Sequence, residues 1–132
     1  RELGAHHYID SEKENAAETL QALGGAKVIL ATAPNADVIS SLMGGLGTGG
    51  ELIIAAVDDN PLKWSAMDFL NGPNTVKGTF TDIKEMEAAV RFSILTNVRP
   101  MIEIFPLERA KEAYEKMMAA KTHFRAVLRM GK

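Results

Sequence analysis

The chain has 132 residues, of which 46% are apolar, 24% charged and 6% aromatic, a composition that builds one modest core and argues against disorder. Fifteen Lys and Arg against seventeen Asp and Glu give a net charge of -2, so no basic excess draws the chain to nucleic acid or to an anionic membrane. Zero Cys excludes disulfides, thiolate zinc sites and a cysteine nucleophile within these residues, and apolar runs such as Leu52 to Val57 fall far short of the ~20 residues that span a bilayer.

Arg1-Glu2-Leu3-Gly4-Ala5 reads as the end of a helix and carries no secretory pattern. The chain is therefore expected to be a piece of a longer, cytoplasmic protein. Ser11 to Leu23 has helical spacing. Ser11-Glu12-Lys13-Glu14 fits a capping box, Leu20 and Leu23 share a face with Ala16, and Gly24-Gly25 supplies the stop. Ala26 to Ala31 is a short apolar run that suits a strand buried on both faces. Ala36 to Leu46 is a second helix, with Val38, Ile39, Leu42, Met43 and Leu46 toward one side. Glu51 to Val57 is a second buried strand.

Asp58 to Thr81 breaks the rhythm: a turn by composition at Asn71-Gly72-Pro73-Asn74 precedes a short strand at Val76 to Phe80. Ile83 to Val98 predicts a helix with Met86, Val90, Ile94 and Val98 on one side. Pro100 to Phe105 is a strand, and Leu107 to Lys121 a helix carrying Leu107, Ala110, Tyr114, Met117 and Met118. Arg125 to Met130 is a last strand. Alternation of this kind defines an α/β chain with a mostly parallel sheet and flanking helices. In open sheets of that class ligands bind beyond the carboxyl ends of the strands, so the long connection after Val57 points to a site.

Gly45, Gly47 and Gly50 match GxGxxG, but they follow a helix and precede a strand. Phosphate binding needs the reverse order, with helix amides facing the anion, so these glycines end the helix and turn the chain. His6 and His7 are adjacent and point to opposite faces of any strand, which suits ordinary surface residues better than a metal clasp, and His123 is read the same way. Asp58-Asp59 could bind a sugar hydroxyl or a metal, but a solvated turn is the simpler reading. Met86, Met117 and Met118 fall at helical spacing and are expected in the core. Arg125 reads from pattern alone as surface charge or as a fork for a pyrophosphate.

The ordered segments resemble the cofactor domain of medium-chain, zinc-dependent alcohol dehydrogenases, most nearly the cinnamyl-alcohol-type branch. Arg1 to Asp10 looks like the family's helix end and third strand, and Glu51 to Val57 after Gly49-Gly50 is similar to its fifth strand. Phe105 to Met117 resembles the near-terminal helix and Arg125-Ala126-Val127-Leu128 the final strand. The resemblance implies an incomplete doubly wound, Rossmann-type sheet. Residues 1–132 would form a partial dinucleotide-binding domain lacking its first strand-helix-strand unit.

It also implies roles. Thr32, Ala33 and Pro34 match the loop beside the adenosine part of NAD or NADP. Ala55, Ala56 and Val57 match the strand end at the nicotinamide side. Thr79 and Phe80 match the segment contacting the carboxamide, and Arg125 matches the arginine that pairs with the pyrophosphate. Ala56 and Phe124 stand where the family commonly has glycine. Zinc ligands, the proton relay and most of the substrate pocket lie outside this segment, which is expected to carry no catalytic or metal-binding residue. The implied partners are the nicotinamide cofactor, the missing upstream part of the parent and a second copy paired near Thr75 to Gly78. Without the first unit, Val28 to Ala31 would form an open edge and Tyr8-Ile9 would leave the sheet. A zinc-free quinone or enoyl reductase of the same superfamily, or a non-catalytic nucleotide-sensing module, would share these features.

Overall fold

Asn15 opens the first helix. Its side chain accepts from the Ala17 and Glu18 amides, satisfying two donors that have no partner inside the helix, and α1 runs from Ala16 to Ala22. The capping box expected at Ser11 does not form. Asp10 takes that role in a separate turn, accepting from the Glu12 amide at 3.2 Å, and the helix begins at the better-placed Asn15. The coordinates, a computed structural model, describe every residue except Arg1, Glu2, Val57, Asn71, Pro73, Phe80, Thr81 and Lys132. The chain forms two compact units, Arg1–Phe80 and Thr81–Lys132.

In the first unit, β1 (Ala26–Ala31), β2 (Leu46–Ile54) and β3 (Thr75–Gly78) form a sheet in the order β1-β2-β3, with both pairings parallel. Helix α2 (Ala36–Ser41), continued by a tight turn at Leu42–Gly45, connects β1 to β2, and α3 (Ala66–Leu70) lies in the connection to β3. The core is Ala31, Ile39, Met43, Leu46 and the fully buried Leu52, with Ile29, Ile54, Leu62, Trp64 and Val76 packed around it. Burying a leucine such as Leu52 contributes about 1.5–3 kcal/mol. β1 lies at one edge of the sheet, as expected, and its Val28 and Leu30 are 56% and 58% exposed. Tyr8 and Ile9 belong to no strand.

Strand β2 starts five residues before the expected Glu51, and the reason lies in its register with β1. Ala26 pairs with Leu46 and Val28 with Glu51, so two steps along β1 face five along β2 and three residues are extra. Gly47 to Gly50 makes this excursion and must pass close to neighbouring backbone. A Cβ on Gly50 would stand 2.8 Å from the carbonyl oxygens of Ala26 and Gly47. The GxGxxG pattern is thus a packing device at the amino end of a strand.

In the second unit, α4 (Ile83–Leu95) is capped by Asp82, whose carboxylate accepts from the Glu85 amide at 2.8 Å. It stops two residues before Asn97, which adopts φ 54°, a conformation asparagine tolerates at a helix end. β4 (Ile102–Pro106) and β5 (Arg125–Arg129) pair in parallel, joined by a turn at Leu107–Arg109 and α5 (Ala110–Met118). Phe105 on β4 and Ala113 on α5 are buried. The core positions expected for Met86, Met117 and Met118 are not realised: all three are exposed, and Val90 and Ile94 on the apolar side of α4 are 60% and 61% exposed. Helical spacing fixes which residues share a face, but burial needs an opposing surface.

Candidate functional site

Parallel pairing in register brings three strand ends to one edge of the first sheet. Ala31 faces Ile54, and Ile54 faces Gly78. One residue further on, the Ala55 amide donates to the Ala31 carbonyl at 2.8 Å and the Thr79 amide donates to the Ile54 carbonyl at 3.0 Å. The Thr79 hydroxyl donates to the same Ile54 oxygen at 3.1 Å. The structure therefore brings Thr32, Ala33, Pro34, Ala55, Ala56 and Thr79 together at the carboxyl edge of one sheet. Ala56 is half-buried and the other five are exposed. Val57 and Phe80 lie outside the described residues. Arg125 is exposed at the first position of β5, in the second unit, paired with Ile102.

Asp58, whose simpler reading from sequence is a solvated turn, bonds to another element at this edge. One Asp58 oxygen accepts from the Ala36 amide at 2.6 Å; the other accepts from the backbone and side-chain nitrogens of Asn60, both at 2.9 Å. The turn at Asp58 to Asn60 is real, but the carboxylate also reaches another element. These amides hold the carboxyl below the usual aspartate range, Asn60 contributing most and Ala36 next. Asn35 accepts from the Val38 amide at 3.0 Å, so Asp58 and Asn35 share the free donors at the start of α2. Paired acids after a strand were the only sequence signal for Asp58, and nothing in the sequence named Ala36 as its partner.

The connection continues along α2. The Lys63 amide donates to the Ser40 hydroxyl at 3.0 Å, the Trp64 indole donates to the Ser40 carbonyl at 3.0 Å, and the Lys63 ammonium meets Asp37 at 2.7 Å. A cavity of about 260 Å³ is lined by Ile39, Ile54, Ala56, Asp58, Asn60 and Leu62.

Among the described residues no three His, Asp or Glu side chains are grouped to hold an ion, and the chain has no Cys. The donors among the described residues are not arranged to hold zinc. No helix among the described residues is long and apolar enough to cross a membrane.

The three-stranded parallel α/β sheet of the first unit is of the open class in which ligands bind beyond the carboxyl ends of the strands. Residues 3–128 match the family model of zinc-binding dehydrogenases, and the chain belongs to that family. It is 40% identical to alcohol dehydrogenase notN of Aspergillus sp. (strain MF297-2) and 35% identical to alcohol dehydrogenase patD of Penicillium expansum, in each case over 98% of this chain and 38% of the relative. The chain thus spans little more than a third of the length of these curated relatives. The crystal structure of an alcohol dehydrogenase zinc-binding domain protein from Burkholderia ambifaria superposes with a TM-score of 0.87 at 20% identity, covering 99% of this chain and 38% of that one.

Proposed function

We propose that this chain is the C-terminal part of the cofactor-binding domain of an NAD(P)-linked, zinc-dependent alcohol dehydrogenase, a partial domain lacking its first strand-helix-strand unit. The observation that carries the reading is the shared carboxyl edge of β1, β2 and β3, where Ala55 is bonded to Ala31 and Thr79 to Ile54. Backbone groups at fixed strand ends orient a dinucleotide at little entropic cost. Thr32 to Pro34 flank its adenosine half, Ala55 to Val57 its nicotinamide half, and Thr79 and Phe80 its carboxamide. The family resemblance assigns Arg125, in the second unit, to the pyrophosphate charge. When bound, the nicotinamide supplies the hydride chemistry, and this segment's residues position it without touching the reacting carbon. Zinc binds in the parent outside these residues.

Membership in the zinc-binding dehydrogenase family favours this over a zinc-free quinone or enoyl reductase. The cinnamyl-alcohol branch is our finer assignment, resting on the ordered set of resembling segments along the whole chain. A cytoplasmic location goes with the same reading. Pairing of two copies near Thr75 to Gly78 is what the family resemblance implies, and it is supported by the place of β3 at the border of the described sheet, with Thr75 and Lys77 exposed.

The test is calorimetry with NADH and NADPH on the full-length protein, followed by alcohol oxidation before and after removal of zinc by a chelator. Binding of one dinucleotide, with activity lost on chelation and restored by zinc, is expected. Failure to bind either dinucleotide ends the proposal, and activity indifferent to zinc moves the protein to the reductase branch.

A further inference from the structure

The two loops assigned to the two halves of the dinucleotide belong to different strands. Thr32 to Asn35 leaves β1 and enters α2 at Ala36; Ala55 and Ala56 leave β2 and lead to Asp58. Between the exits of these loops the structure places one carboxylate. Asp58 Oδ2 takes the Ala36 amide and Oδ1 takes Asn60. Ala36 itself is buried, 4% exposed. The strap from Lys63 to Trp64, bonded to Ser40, fixes the far end of the same connection to the same helix.

We infer that Asp58 is a positioning residue for the dinucleotide: by clamping the exit of the β2 loop to the first amide of α2, it holds the two cofactor loops at the separation that one bridging ligand requires. The inference rests on the cofactor reading above and adds a residue that the reading does not use. Asp58 need not touch the ligand. A ligand that contacts both loops gains from their fixed separation because its second contact is made without further ordering, whereas a ligand that contacts one loop gains nothing.

This difference gives a readout that general destabilisation does not move. Asp58→Asn has the same shape but one carbonyl oxygen in place of two carboxylate oxygens, so it cannot hold Ala36 and Asn60 together as Asp58 does. Affinities for NADH or NADPH (whichever the wild type binds), AMP and nicotinamide mononucleotide are measured on the full-length wild type and on Asp58→Asn, with melting followed by circular dichroism. Asp58→Ala is measured alongside, and if it does not fold the isosteric variant carries the comparison alone.

The expected result is a loss of about tenfold in dinucleotide affinity, with AMP and nicotinamide mononucleotide held within about twofold of wild type. Equal losses for the dinucleotide and the mononucleotides, or no loss for any of them, overturn the inference while leaving the cofactor reading standing. A wild type that binds no dinucleotide overturns both.

Discussion

Glu103 on β4 reaches the segment just ahead of β5: its carboxylate accepts a hydrogen bond from the His123 backbone amide at 2.6 Å. The other oxygen meets the Lys116 ammonium of α5. One side chain thus ties two parallel strands and their crossover helix, and these contacts keep its carboxyl below the usual glutamate range, Lys116 first and the His123 amide second. Glu103→Ala is expected to lower the melting temperature and to speed hydrogen exchange at the His123 amide; Glu103→Gln, which keeps an acceptor, is expected to fall between. Unchanged exchange at His123 in the alanine variant would show that this bond does not hold the loop.

Phe124 follows directly and adopts φ 70°, a left-handed conformation that costs a residue with a Cβ. Its ring is exposed, and its edge-on approach to His123 at 4.8 Å offsets only part of that cost. Phe124→Gly is expected to raise stability by about 0.5–1 kcal/mol. The expectation that glycine commonly stands here thus has a physical basis in this backbone. A lower denaturation midpoint for the glycine variant would contradict it.

Gly50 and Gly78 are both strand glycines and differ in surroundings. A Cβ on Gly50 would meet two carbonyl oxygens at 2.8 Å, whereas one on Gly78 would meet nothing within 4 Å. Neither oxygen belongs to a flexible side chain, so the backbone must give way. Gly50→Ala is expected to cost about 2 kcal/mol or more, and Gly78→Ala to change stability by less than about 0.5 kcal/mol. Urea titrations of the two variants compare them directly, and equal midpoints would refute the close-approach argument.

Asp58 adds a dependence on pH. Its carboxyl is held low in the folded state by Asn60 and Ala36, so the folded state binds that proton less readily than the unfolded chain. The contribution is present above the unfolded value and disappears as pH falls through the folded one. The wild type is therefore expected to lose melting temperature more steeply than Asp58→Asn on acidification below about pH 5. Asp68, Glu103 and Glu112 are also held low by hydrogen-bonded neighbours and act in the same direction in both proteins. Parallel curves for wild type and variant would remove Asp58 from the acid response.

Local preference and periodicity decided much of this molecule before any tertiary contact. Ala26 to Ala31 is β1 residue for residue, Arg125 opens β5, and Gly24-Gly25 closes the turn after α1, because apolar runs and glycine stops act within a few residues of themselves. The boundaries that moved did so for reasons carried by partners distant in sequence. β2 begins at Leu46 because it pairs with Ala26, an arrangement no property of Gly47 to Gly50 alone implies. The position of Thr32, Ala55 and Thr79 on one edge follows from parallel register, which alternation of strands and helices made expected but could not align.

Other features belong to tertiary structure alone. Met86, Val90 and Ile94 share a helical side by spacing, yet whether that side is covered depends on an opposing surface, and here it is exposed. Asp58 is one acid among seventeen Asp and Glu, and its reach to Ala36 exists because folding brings the end of β2 beside the start of α2. Spacing along a chain sets which residues can share a face or end an element. Which hydrogen-bonding groups meet across the loops is set by where the backbone returns, and that is a property of the folded sheet.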